Sequence, residues 1–185
     1  MQKRLIILGC GDTLNSDVKR VGIRGDVMVT NQLVFDYPGR IDHVSMLDYS
    51  VDGDKYILKR KNAGYNMNFS VHKRAPQILI GKTIVTYGKS IKAVTNHGQP
   101  LFMWYFTNKP IRNSGLFGAL VGKALGYDEI VMLGCPGSGG HYYDLNYPLA
   151  GPPTEAMDII KDHPEFFSGV RSASGLTAEL LGGVA

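Results

Sequence analysis

Lys3-Arg4-Leu5-Ile6-Ile7-Leu8-Gly9-Cys10-Gly11-Asp12-Thr13-Leu14 decides the fold of this chain. Lys3 to Gly9 is a short, nearly continuous apolar run that suits a central strand buried on both faces. Gly9-Cys10-Gly11 then turns the chain at the strand's end. In an open α/β sheet such turns line the crevice at the carboxyl ends of the strands, where ligands bind. A related arrangement recurs later. Asn113-Ser114-Gly115 opens a helix, Leu125-Gly126-Tyr127 closes it, and Leu133-Gly134-Cys135 ends the next apolar run. The first turn lacks the third glycine of the dinucleotide fingerprint. It therefore reads either as a phosphate contact or as a tight strand-to-loop turn.

Working outward, Asp26–Thr30 reads as a second strand, Ile41–Leu47 as a third and Leu101–Phe106 as an aromatic strand. Tyr56–Lys59 is expected as a short strand or hairpin arm. Gln77–Thr86 is expected as one strand with a break, or a strand and its continuation. Leu116, Phe117, Leu120, Val121, Ala124 and Leu125 form an apolar stripe at helical spacing, with Asn113 or Ser114 as N-cap and Gly126 as terminator. Gly115, Gly118 and Gly122 inside that helix cost about 1 kcal/mol each relative to Ala, so close packing against a strand or ligand is expected. Glu129–Leu133 is the next buried strand, and residues 136–153 read as loop. A helix follows at Glu155–Lys161 with Thr154 as N-cap, and a last one at Thr177–Leu181. The fold class expected is α/β: a single Rossmann-like domain spanning 1–185, with a mostly parallel sheet flanked by helices.

Composition agrees with that reading. Of 185 residues, 44% are hydrophobic, 19% are charged and 23 are glycine, which fits a loop-rich α/β domain. No apolar run reaches the ~18 residues needed to cross a bilayer, and the N-terminus has no signal-peptide pattern, so a cytoplasmic location is expected. The net charge of +4 includes Lys59-Arg60-Lys61 and His72-Lys73-Arg74, read as a solvated basic face in preference to an attraction for an anionic ligand such as a nucleotide. No nucleic-acid-binding signature accompanies the charge. The two cysteines, Cys10 and Cys135, lack a partnering histidine pair for zinc, and both are expected to be reduced. Asp36, Asp48 and Asp52 form no cation loop, so no metal is assigned.

Three blocks, in order, resemble the small bacterial sialyltransferases that use a CMP-sialic acid donor, and the wider motility-accessory-factor-like Rossmann superfamily. Ile6–Leu14 resembles their nucleotide loop, usually G-N-G-P-S-L. Thr30-Asn31-Gln32-Leu33-Val34-Phe35-Asp36 resembles their N-Q-aromatic block. Ile111–Gly115, with Ala124–Ile130 and Leu133-Gly134, resembles their S-G-helix-A-L-G-Y-x-E-I-x-L-x-G block. The resemblance implies a nucleotide or nucleotide-sugar ligand held by Gly9, Gly11, Thr13, Asn31, Ser114 and Gly134. The adjoining Cys10, Asp12, Gln32, Asn113 and Gly115 complete the candidate set. No cofactor beyond that ligand is implied. Asn31 and Ser114 also read as a strand-end cap and a helix cap. Tyr142 or Tyr143 corresponds to the family's tyrosines against the donor phosphate.

The chain departs from the pattern. Cys10 replaces asparagine, Asp12-Thr13 replaces proline-serine, and Gly134-Cys135-Pro136 replaces G-I-D. The family's catalytic histidine has its counterpart around Gly151-Pro152-Pro153, which offers no titratable group. His141, with Asp144 to orient it, is the candidate base, because imidazole moves protons at neutral pH. His97 is a weaker candidate, His163 punctuates a helix end, and His43 and His72 show no partner pattern. Three functions stay open: a nucleotide-sugar-dependent glycosyltransferase, a non-catalytic nucleotide-binding or sequestering protein, and a structural subunit with an inherited fold. The sequence does not give the oligomeric state; the glycine-faced helix and the Leu101–Phe106 segment allow a self-association surface, and with it a homo-oligomer.

Overall fold

The computed structural model describes residues 2–47, 49, 51–75, 90–106, 111–141, 144–148 and 153–184. An eight-stranded sheet runs in the order β10-β7-β1-β2-β3-β4-β6-β5. Its strands are β1 (Arg4–Leu8), β2 (Asp26–Thr30), β3 (His43–Met46), β4 (Ser70–Arg74), β5 (Ser90–Val94), β6 (Pro100–Trp104), β7 (Glu129–Leu133) and β10 (Val170–Ser172). All neighbours pair in parallel except β5, which runs antiparallel to β6 at the edge. This is the mostly parallel, helix-flanked, Rossmann-like sheet expected.

Strand β1 shows why the apolar run was informative. Leu5 and Ile7 face one core, and Ile6 and Leu8 face the other. All four are almost fully buried. One face is covered by α1 (Leu14–Val21), α2 (Leu33–Asp36) and α3 (Val51–Asn62), which contribute Leu14, Leu33, Val34 and Ile57. The other is covered by α4 (Ser114–Ala124), α5 (Pro153–Asp162) and a 3₁₀ turn at Pro164–Phe167. Helix α6 (Gly175–Leu181) packs its leucines against that second core.

The glycines of α4 let it lie close on the sheet. A Cβ at Gly118 would stand 2.8 Å from Met28 Sδ, and one at Gly122 would stand 2.7 Å from Leu5 Cδ2. The glycine face is therefore inside the molecule, as are Leu101, Trp104 and Phe106. Phe102, Met103 and Tyr105 of the same segment are half-buried.

Several expectations are corrected. Tyr56–Lys59 is not a strand but part of α3. Gly53, Ile57 and Arg60 form the inward stripe of that helix, and its charged member hides the helical period. Arg60 is fully buried rather than on a solvated face; its guanidinium donates to the carbonyls of Val34, Tyr37, Gly39 and Asn66. His72 is buried as well. The stretch 136–153 contains a two-stranded ladder, β8 (Gly140–His141) with β9 (Asp144–Pro148). Helix α5 begins at Pro153, so Thr154 lies within its first turn. The strand expected within Gln77–Thr86 lies outside the described residues, as do Tyr142, Tyr143 and Asp48.

Candidate functional site

The carboxyl ends of β1, β2 and β7 open onto a cavity of about 270 Å³. It is lined by Gly9, Cys10 and Gly11 after β1, by Thr30 and Asn31 after β2, and by Gly134 and Cys135 after β7. Asn113, Ser114 and Gly115 bring the N-terminus of α4 to the same opening, and His141 enters from β8. Of the expected residues, nine line this cavity. Asp12, Thr13 and Gln32 do not line it. The Thr13 hydroxyl donates to Asp17 at 3.0 Å, the Gln32 amide donates to Asp36 at 2.8 Å, and Asp12 accepts the Gly140 N–H at 3.4 Å.

Local sequence explains how each wall is built. Asn113 is the N-cap of α4, and its side chain accepts the Leu116 N–H at 3.0 Å. The first amides of any helix have no intrahelical acceptor, so this end favours an anionic group. Asn31 has φ 47°, the one left-handed non-glycine backbone among the described residues. Asparagine tolerates that conformation better than most residues do, and such strain concentrates at functional sites. Its side-chain oxygen accepts from the Ser114 hydroxyl at 3.3 Å, so the β2 and α4 walls meet across the cavity. Ser45 fastens both: its hydroxyl donates to the Ser114 carbonyl at 2.8 Å, and its carbonyl accepts the Asn31 N–H at 3.4 Å.

Gly134 closes the floor. Its φ is 63°, and a Cβ there would stand 2.6 Å from the Gly9 carbonyl oxygen, so only glycine fits. Its N–H is held by the buried Asp17 carboxylate at 2.9 Å. Opposite, His141 bridges to Gly11 and pairs with Asp144 in the β8–β9 register, which ties the ladder to the first glycine turn.

Both cysteines are free and buried in the cavity wall. Burial raises the pKa of both thiols, with the Thr30 hydrogen bond acting against it at Cys10. Both are therefore protonated at neutral pH, and neither is an activated nucleophile. Among the described residues no group of three or more His, Cys, Asp or Glu side chains is arranged to hold a metal ion. No described helix is long and apolar enough to cross a membrane.

Neither a protein-family profile nor a curated protein sequence matches the chain. A solved structure does resemble it: the sialyltransferase CstII from Campylobacter jejuni, in complex with a substrate analogue, cytidine-5'-monophosphate. The two are 19% identical with a TM-score of 0.58, over 100% of this chain and 86% of the other. The chain has a sialyltransferase-like fold. At this identity the likeness concerns architecture. It places the cavity described above on a scaffold that, in the similar protein, was solved with a nucleoside monophosphate.

Sequence reading missed Thr30, Leu47, Arg112, Cys135 and Gly137 in the cavity wall. Arg112 and Cys135 adjoin residues that were singled out, so counting one residue outward from each motif finds them. Leu47 follows β3 and carries no chemical signal.

Proposed function

We propose that this protein binds a nucleotide-linked sugar at the carboxyl ends of β1, β2 and β7 and transfers the sugar to an acceptor. The observation that carries this reading is the joining of Asn31 and Ser114 across the cavity, beside glycine turns from β1 and β7. The N–H groups of Gly9, Gly11 and Gly134 are bonded within the floor, so what this arrangement offers to a phosphate is the positive end of α4. It also offers amide and hydroxyl groups to a ribose or base. The similarity to a sialyltransferase solved with cytidine monophosphate supports a CMP-linked donor.

In the transfer, the bond from the sugar's anomeric carbon to the donor phosphate oxygen breaks as the acceptor oxygen bonds that carbon. The acceptor's hydroxyl proton goes to a base. His141 is the imidazole in the described cavity wall and is assigned that role. The leaving phosphate keeps the electron pair and is held at the α4 N-terminus, with Tyr142 or Tyr143 as the further contact. No metal or other cofactor is invoked.

The test is thermal unfolding against CMP, CDP, UDP and GDP and their sugars. Ligand at about 100 times its Kd adds roughly 2.7 kcal/mol of stability. A shift with the cytidine species alone supports the donor class; no shift with any species removes the reading. His141→Ala should abolish transfer and spare the shift. A second reading, binding without transfer, is favoured by the Gly151-Pro152-Pro153 sequence, which has no titratable group. It predicts the same shift with no donor consumed over hours.

A further inference from the structure

A hydrogen-bonded cluster that runs from Trp104, the last residue of β6, through His72 of β4 to His43 and Asp26 at the amino-terminal ends of β3 and β2 is not used by the proposed function. Trp104 Nε1–H donates to His72 Nδ1 at 3.0 Å, and His72 Nε2 lies 3.1 Å from His43 Nδ1. His43 Nε2 lies 3.1 Å from the Tyr127 hydroxyl, which donates to Asp26 at 2.7 Å. An indole nitrogen only donates. His72 Nδ1 is therefore bare, and its hydrogen sits on Nε2 and points at His43. His43 Nδ1 accepts it and keeps its own hydrogen on Nε2, directed at Tyr127. All four bonds run one way, from Trp104 into the Asp26 carboxylate.

This series has no place for another proton. On His43 Nδ1 it would oppose the Nε2–H of His72. Moving the His72 hydrogen to Nδ1 would oppose the indole N–H. Two donors would meet at 3.0 or 3.1 Å in either case. His72 is held between Trp104 and Phe102, so it has no room to move. His43 does: it lines a cavity of about 610 Å³ that also contains Asp26 and Asp42.

The groups facing the pair come from every side. They are Asp26 of β2, Asp42 and Arg40 before β3, Lys3 before β1 and Tyr127 after α4. Burial lowers the pKa of His43 where it stands, Asp42 and Asp26 favour the cation, and Lys3 opposes it.

Among the described residues, His43 gives one of two side-chain hydrogen bonds that join β3 to α4 or to the turn just after it. Ser45, on the same face of β3, holds the first residue of α4 through the Ser114 carbonyl. His43 holds Tyr127, just beyond the helix's other end. The front tie is in the candidate binding cavity, and the rear tie is the histidine pair.

We propose that His43 is a proton-operated latch on α4: on taking up a proton it leaves His72 and Tyr127, turns into the rear cavity to face Asp42 and Asp26, and frees the helix whose front end forms the binding cavity. The proton comes from solvent, and no covalent bond changes.

The test is amide hydrogen exchange on the whole chain, corrected for the intrinsic effect of pH, between about pH 7.5 and acid unfolding. Below its onset, protection at Leu116–Phe117 and Tyr127–Asp128 should fall about tenfold per pH unit, while β1 keeps its protection. Imidazole nitrogen shifts should report both histidines as neutral Nε2–H forms at about pH 7.5. Tyr127→Phe should show the reduced protection already at neutral pH. Trp104→Phe lets His72 carry its hydrogen on Nδ1 and accept from a protonated His43, so it should keep protection in acid. Helix-end protection that stays constant down to acid unfolding, or that falls in step with β1, overturns the latch. If either variant fails to fold, the wild-type exchange and shifts decide alone. No nucleotide enters the experiment, so a failed nucleotide titration leaves the result standing.

Discussion

The Asp17 carboxylate accepts the Gly134 N–H at 2.9 Å, joining residues 117 positions apart beneath the candidate binding cavity. The same oxygen accepts from Thr13 at 3.0 Å and Ser174 at 2.7 Å. Asp17 is 2% exposed, so its charge is sustained by these three donors and by Arg20. Asp17→Ala leaves a buried backbone N–H and two hydroxyls without their acceptor. It should cost about 3 kcal/mol in urea unfolding. A loss below about 0.5 kcal/mol, typical of a surface substitution, contradicts this account of the floor.

Acid should weaken the fold through His72. Burial is the main cause that lowers its pKa, to about 3, and the nearby His43 adds to the effect. The unfolded chain therefore binds a proton that the folded chain refuses between about pH 6.5 and pH 3. The contribution is complete above the unfolded value and is lost as pH falls, at about 1.4 kcal/mol per unit. Urea unfolding of wild type and His72→Gln across this range should show a steeper decline for wild type. Parallel curves would mean that His72 does not titrate as its burial requires.

Arg60→Met should be costly although, among the described residues, no carboxylate forms an ion pair with it. Four carbonyls, from Val34, Tyr37, Gly39 and Asn66, lose their donor at once. The expected loss is about 3 kcal/mol, visible in thermal unfolding. A near-neutral outcome would mean that water replaces the guanidinium.

Asn31→Gly separates structure from binding. Glycine relieves the left-handed backbone, so stability should change by less than about 1 kcal/mol. Loss of the amide facing Ser114 should abolish the stabilisation by the nucleotide panel. Unchanged nucleotide stabilisation in this variant would remove Asn31 from the binding surface.

Much of the sheet was legible because parallel strands buried on both faces read as apolar runs. Leu5–Leu8, Val27–Val29 and Ile130–Leu133 carry that signal. Strand β4 did not, because Ser70, His72, Lys73 and Arg74 interrupt it and the buried His72 draws its partners from other strands. Helix α3 was hidden by Arg60 on its inward face. The glycine turns, Asn31 and Ser114 were legible as types, yet the direction of Thr13 toward Asp17 was not. A hydroxyl pointing at a buried carboxylate looks the same in sequence as one facing solvent.

Strand order also governs how the chain assembles. Strand β1 is synthesised before β2 and pairs with it soon after, but its other neighbour is β7, more than 120 residues later in the chain. Until β7 is inserted, Leu5–Leu8 is an open edge of fully apolar residues, the kind of edge that recruits other chains. Long-range parallel pairing of this kind closes slowly. The cavity cannot form in the partial chain either, because Gly134, Cys135, Gly137 and His141 of its wall arrive only with or after β7. Aggregation during synthesis, rather than instability of the finished fold, should therefore limit the yield of this protein in fast-translating hosts.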